Sequence, residues 1–124
     1  MSQDVVSDTL NMMINVKKTG KNLVETKHYS KFLLSVLAIA KLKGYVKDYK
    51  VENRTLKIEI GNLHGVKVIK PRFVVTVPEI ERYVSRYLPA KNIGFIVIST
   101  SKGLMTHQTA LEKNIGGSLI AYFY

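Results

Sequence analysis

Residues 93–103 read IGFIVISTSKG. Apolar throughout its first six positions apart from Gly94, the segment predicts a strand over 93–98 buried on both faces. It runs directly into Ser99, Thr100, Ser101, Lys102 and Gly103, read as a polar loop between that strand and a following helix. Thr106 is placed to cap the helix, which extends to residue 113, and Gly116 and Gly117 reset the backbone before a last strand over 119–123. Upstream, 66–69 and 73–77 are strand-like runs separated by Lys70, Pro71 and Arg72. Pro78 then serves as a first helical residue, with Ile80, Val84, Tyr87 and Leu88 on one face and Pro89 as the stop.

The preceding half has a different order. Val6, Leu10, Met13 and Ile14 recur at helical spacing behind Ser2 or Asp4 as cap, with Lys17 and Lys18 at the C-terminal end and Thr19 and Gly20 ending the helix. Residues 23–28 form a short strand. Ser30 precedes FLLSVLAIAKLK, a second helix closed by Gly44, with Leu33, Leu34, Val36, Leu37 and Ala40 inward. Residues 45–51 and 56–60 flank Glu52, Asn53 and Arg54 as a β-hairpin, the second strand alternating Leu56, Ile58 and Ile60 against Lys57 and Glu59. The glycine-containing break at 61–65 is the best boundary, with no low-complexity linker or useful internal repeat elsewhere. The expected fold is α+β in two small lobes: residues 1–62 as α-β-α-β-β, and residues 63–124 as a mixed α/β lobe with short helices.

At 124 residues and 46% hydrophobic content, the chain suffices for one ordinary domain or two small lobes with a core. Without cysteine it has no disulfide staples, thiolate catalysis or cysteine-ligated metal, and a reducing compartment fits best. No run of about 18 apolar residues is present, and the start MSQDVVSDTL lacks the basic and apolar regions of a leader, so a cytoplasmic protein without membrane association is expected. Nineteen Lys and Arg against nine Asp and Glu leave +10. Each half carries +5, and blocks of five or more like charges are absent, so the charge belongs to folded surfaces and points to a polyanion partner, nucleic acid first.

Ser99, Thr100, Ser101, Lys102 and Gly103, followed by Thr106 at a helix start, combine hydroxyls, a cation, a permissive backbone and free N–H groups. Such a set suits phosphates and riboses, because Ser and Thr both donate and accept, as a 2′-OH does. The same residues also simply turn and cap the chain, and spacing alone favours that reading. This is not a Walker loop, since Lys102 precedes Gly103. Gly116 and Gly117 allow close approach of a polyanion, or only a turn. Lys70 and Arg72 around Pro71 present two cations to phosphates or to solvent.

Catalytic sets are poorly supplied. His28, His64 and His107 begin no metal-binding pattern, and no metal or other cofactor is expected. His107 reads as a surface polar histidine. Tyr45, Tyr49, Tyr83 and Tyr87 fall at positions that serve the core, so none is assigned to stacking on bases.

The run LPAKNIGFIVISTSKGLMTHQTALEKNIGGSLIAYFY, residues 88–124, resembles the end of the small ribosomal subunit protein eight family in its archaeal-type form. Ser99, Thr100, Ser101, Gly103, Met105, Thr106, Gly116 and Gly117 carry the match. Asp4, Leu10, Asn15, Lys18, Gly20, Lys21, Ser30, Lys31, Pro71, Arg72 and Phe73 extend it more loosely. Val5 stands where the family often has proline, and Ser118 where bacterial members usually have an acidic residue. The resemblance implies a two-lobed α+β protein that binds the central domain of small-subunit rRNA directly and early, gripping an irregular stem with an internal loop and helping to assemble the subunit platform. Ser99, Thr100, Ser101, Gly103, Thr106, Gly116 and Gly117 would form the main RNA site, with Ser30 and Lys31 from the other lobe. Its other partners would be neighbouring small-subunit proteins and, as in bacterial members, the messenger of its own operon, whose translation it would repress. No catalysis and no small-molecule substrate are expected. Two alternatives are a sequence-independent nucleic-acid binder outside the ribosome, and a small enzyme using residues 99–103 as a phosphate pocket with His107 as base.

Overall fold

The computed structural model describes residues 5–69, 74–90 and 93–124. The chain forms two compact units, Met1–Val66 and Lys67–Tyr124. The expected caps Ser2 and Asp4, and the Lys70-Pro71-Arg72 bend with Phe73, lie outside the described residues.

In the first unit, helix α1 (Val5–Lys18) buries Val6, Thr9, Leu10 and Met13, a stripe at helical spacing. Strand β1 (Leu23–Thr26) follows. Helix α2 (Lys31–Leu42) is capped by Ser30, whose Oγ accepts the Leu33 N–H at 3.2 Å, and it buries Leu33, Val36, Leu37 and Ala40. Leu34, read as inward, is only half-buried. Strands β2 (Val46–Glu52) and β3 (Thr55–Ile60) meet at Asn53 and Arg54, both at positive φ (49° and 61°), the geometry of a two-residue hairpin turn. The three strands are antiparallel in the order β1-β3-β2. Leu56, Ile58 and Ile60 are buried as their alternation requires. The stretch at 61–65 is held by its own unit, since the Asn62 N–H donates to Gly44 O and Leu63, itself buried, donates to Gly61 O.

The second unit contains β4 (Val66–Val68, which begins on the last residue of the first), β5 (Val74–Val75), α3 (Val77–Tyr87), β6 (Phe95–Thr100), β7 (Gly103–Thr106), α4 (His107–Lys113) and β8 (Gly117–Phe123). Its sheet runs β4-β8-β6-β7, with β5 also on β8. Phe95, Ile96, Val97 and Ile98 are all at most 1% exposed, as a strand covered on both faces demands. Ile96, Ile98, Met105 and Leu119 pack with Ile80, Val84, Leu88 and Ala110 in one core. Val77, not Pro78, is the first helical residue of α3, and Thr76 is its N-cap. The Glu79 carboxylate reaches back to accept the Thr76 N–H (2.9 Å) and hydroxyl (2.8 Å), and these bonds hold its pKa below the usual 4.5. Pro78 is the second helical residue, where its missing N–H costs nothing.

Two features depart from the sequence reading. Strand β6 continues through Ser99 and Thr100, and a four-residue strand, β7, returns along it before the helix, so residues 99–103 belong to a β-hairpin and not to a strand-to-helix loop. Val97 pairs with Ala121 but Ile98 with Leu119, leaving Ile120 as the extra residue of a β-bulge. The bulge moves Leu119 to the face of Ile98 and Met105, and it sets every pairing beyond it.

Candidate nucleic-acid interface

The ladder of β6 and β7 closes on Thr100 opposite Gly103, leaving exposed Ser101 and Lys102 as a two-residue tip. Gly103 has φ 107°, a conformation that side chains rarely adopt, with open space where a Cβ would project. Thr100 locks the turn: its hydroxyl donates to Gly103 O at 2.9 Å and accepts the Lys102 N–H at 3.1 Å. Its only donor is therefore spent inside the hairpin.

One residue back, Ser99 pairs with Leu104 of β7 on one side and Ser118 of β8 on the other, and Ser118 pairs with Val74 of β5. Directly paired residues share a face, so Val74, Ser118, Ser99 and Leu104 form a row across four strands, about 14 Å wide at ordinary strand spacing. Ser118, Ser99 and Leu104 are half-buried and Val74 is 80% exposed. Among the described residues, no hydrogen bond engages the hydroxyls of Ser99, Ser101 or Ser118. The row and the tip thus present three uncommitted hydroxyls and the Lys102 ammonium beside one another.

Gly116 and Gly117 serve backbone proximity, since neither has positive φ. A Cβ on Gly116 would collide with Val75 O and one on Gly117 with Ser99 O. Gly117 therefore lets β8 lie against β6 where the two serines meet.

The other expected residues sit elsewhere. Thr106 pairs with Val97 at the far end of β7, about 10 Å along the strand from the tip, and is 5% exposed. Its hydroxyl caps α4 by accepting the Thr109 N–H at 3.2 Å. Ser30 and Lys31 belong to the first unit: the Ser30 hydroxyl is the α2 cap and Lys31 is exposed. Lys70 and Arg72 lie outside the described residues. Ser118, which completes the serine pair, was noticed in the sequence only for not being acidic. Val74 and Leu104 carried no signal, because their placement follows from pairings that periodicity does not reveal.

His107 is not a surface residue. It is 3% exposed and its Nδ1 accepts the Ile96 N–H at 3.1 Å. β7 ends at Thr106, so Ile96 has no partner residue on that edge, and the imidazole occupies the vacant place. That placement, remote from the tip, removes the general base of the enzymatic alternative. Tyr83 and Tyr87 stack in series with Tyr122 (6.2 and 5.2 Å between centroids), and burial raises the Tyr122 pKa, with Tyr124 and Tyr87 adding to it. Among the described residues there is no group of three or more His, Asp or Glu able to hold a metal ion, and no helix long and apolar enough to cross a membrane.

The family model described as Ribosomal protein S8 matches residues 4–124. The small ribosomal subunit protein uS8 of Nanoarchaeum equitans is 39% identical over 129 aligned residues that cover both chains completely. Two further relatives are each 34% identical: uS8my of Arabidopsis thaliana, covering both chains completely, and uS8A of Schizosaccharomyces pombe, covering 98% of each.

Proposed function

Since this chain belongs to the ribosomal protein S8 family, whose members are structural constituents of the small ribosomal subunit and not enzymes, we propose that it binds the central domain of small-subunit rRNA directly, in the cytoplasm. Its target is an irregular stem with an internal loop, gripped early so that the subunit platform assembles around it. The observation that carries this reading is the β6–β7 tip with the adjoining serine pair. It offers accessible hydroxyls that no described residue satisfies, on a hairpin closed by Thr100 and beside the close β6–β8 approach that Gly117 permits.

Hydroxyls that donate and accept are matched to the 2′-OH and base edges of a shallow RNA minor groove, while distributed Lys and Arg supply attraction without selectivity. Thr106 and Gly116 act by shaping this surface, whereas Ser101, Lys102 and the open Gly103 backbone touch RNA. Ser30 and Lys31 add a contact from the first unit, and Lys70 and Arg72 add charge. Neighbouring small-subunit proteins complete its surroundings. A similar stem in the messenger of its own operon would occupy the same surface and repress translation.

A nuclease footprint of the purified protein on complete small-subunit rRNA tests this reading. Protection of one central-domain stem, lost in a Ser99→Ala/Ser101→Ala variant, is expected; scattered protection would count against it. The charge of +10 alone would also suit a sequence-independent binder outside the ribosome. Sedimentation of the endogenous protein with small subunits separates the two.

A further inference from the structure

We propose that the tyrosine flank of α3, across the sheet from the serine pair, is a docking surface for a neighbouring protein that presents carboxylates. From the reading above it takes only that other proteins surround this chain in the small subunit. Tyr83, Tyr87, Tyr122 and Tyr124 stack in series, with centroids 6.2, 5.2 and 6.2 Å apart and rings within 21° of parallel. All four are half-buried. Tyr122 pairs with Ile96, on the face of Ile98 and Leu119 that packs against α3, and the alternation of the strands puts Ser99 and Ser118 on the other face. A ligand held by the serines therefore lies across the sheet from the tyrosines.

The bland role of these rings is to roof the core, and that accounts for their apolar parts. It leaves their hydroxyls unexplained. Among the described residues no hydrogen bond engages the hydroxyl of Tyr87, Tyr122 or Tyr124, and no buried side-chain polar atom lacks a partner, so these three hydroxyls reach solvent. Tyr124 and Tyr87 both add to the raised Tyr122 pKa, which places the three within electrostatic reach of one another. Arg86 lies 5.8 Å from the centre of the Tyr87 ring, and Arg82 stands one turn earlier. Neither is ion-paired with a described residue. Arg82 helps to lower the Glu79 pKa, but that carboxylate is spent on Thr76. Glu81 lines a hollow with Val84, Ser85 and Leu88 on the other side of the helix. The flank thus gathers phenol donors and two guanidiniums with no acceptor opposite them, and a carboxylate accepts from both.

Two observations favour a protein over RNA. Helix α3 holds two of the chain's four arginines and none of its lysines, and protein interfaces enrich Tyr and Arg while depleting Lys. The stack also covers the inner ring faces on which a base would lie, leaving ring edges and hydroxyls outward.

The test is photo-crosslinking inside assembled small subunits. The full chain carries a benzophenone amino acid in place of Tyr124, or separately of Ser101, and the crosslinked products are identified by mass spectrometry. Position 124 should join a protein segment that contains Asp or Glu, with a yield several-fold lower in Arg82→Gln/Arg86→Gln. That segment, synthesised as a labelled peptide, should bind Tyr87→Phe/Tyr122→Phe about tenfold more weakly than wild type, while both bind the rRNA stem alike. Circular dichroism confirms that each variant is folded. A crosslink from position 124 to rRNA or to a segment without carboxylates, no crosslink, or equal peptide affinities would overturn the proposal. Position 101 reports on the hairpin tip: its failure to join rRNA would refute that reading while position 124 still decides this one.

Discussion

Ser99 and Ser118 stand directly opposite one another across β6 and β8, on one face of the sheet, with neither hydroxyl engaged by another described residue. Opposed residues in an antiparallel pair have Cβ atoms about 5 Å apart, close enough for both hydroxyls to meet one ribose or base edge. Ser99→Ala and Ser118→Ala should each weaken binding of the central-domain stem about tenfold, the equivalent of one hydrogen bond of about 1.4 kcal/mol. Because both act on one ligand group, the double variant should lose less than the product of the two effects. Independent, multiplying losses in the measured Kd values would mean that the serines do not share a target.

Thr100 acts through the turn. With its donor on Gly103 O and its acceptor on the Lys102 N–H, Thr100→Ala should destabilise the tip by about 1 kcal/mol and speed amide exchange at Lys102 several-fold, whereas Thr100→Ser should preserve both bonds. Stem affinity should follow the exchange rate across these variants. Unchanged exchange at Lys102 in Thr100→Ala would show that the turn closes without the hydroxyl.

Two glycines of the site should respond differently to alanine. At Gly103 the added methyl meets open space and the cost is that of an unfavourable φ, about 1–2 kcal/mol. At Gly117 the methyl meets Ser99 O, so the β6–β8 pairing must move, at about 1–3 kcal/mol together with loss of the serine register. Thermal unfolding with amide exchange along β6 should show altered strand pairing only for Gly117→Ala. An intact ladder in that variant would contradict the account.

His107→Ala should cost about 2–4 kcal/mol in urea unfolding, because it opens a hole in the interior and strands the Ile96 N–H. Binding of the stem by the folded fraction should be nearly unchanged. A loss of affinity larger than the loss of folded protein would assign the imidazole a part in recognition that its burial argues against.

Much of this architecture was legible in the residues because local chemistry and tertiary packing agree. The Ser30 cap, the Gly44 stop, the Leu56-Ile58-Ile60 alternation and the doubly buried run into Ile98 each follow from one physical rule. What escaped depends on pairing over distance. A four-residue strand such as β7 is too short for periodicity, and Thr106 satisfies two roles at once, strand partner of Val97 and cap of α4. The bulge at Ile120 has the same character: without it Ser99 would face Leu119, and the serine pair would not exist. The burial of His107 followed from where β7 stops, which the sequence does not announce.

The most direct measurement is the affinity of the central-domain stem in its all-ribose form against a version with 2′-deoxy substitutions in the contacted strand, at one salt concentration, for wild type and Ser99→Ala/Ser101→Ala. Recognition through side-chain hydroxyls predicts that wild type prefers the ribose form about tenfold or more and that the variant loses most of this preference. Equal binding of the two stems by wild type, or an undiminished preference in the variant, would contradict it.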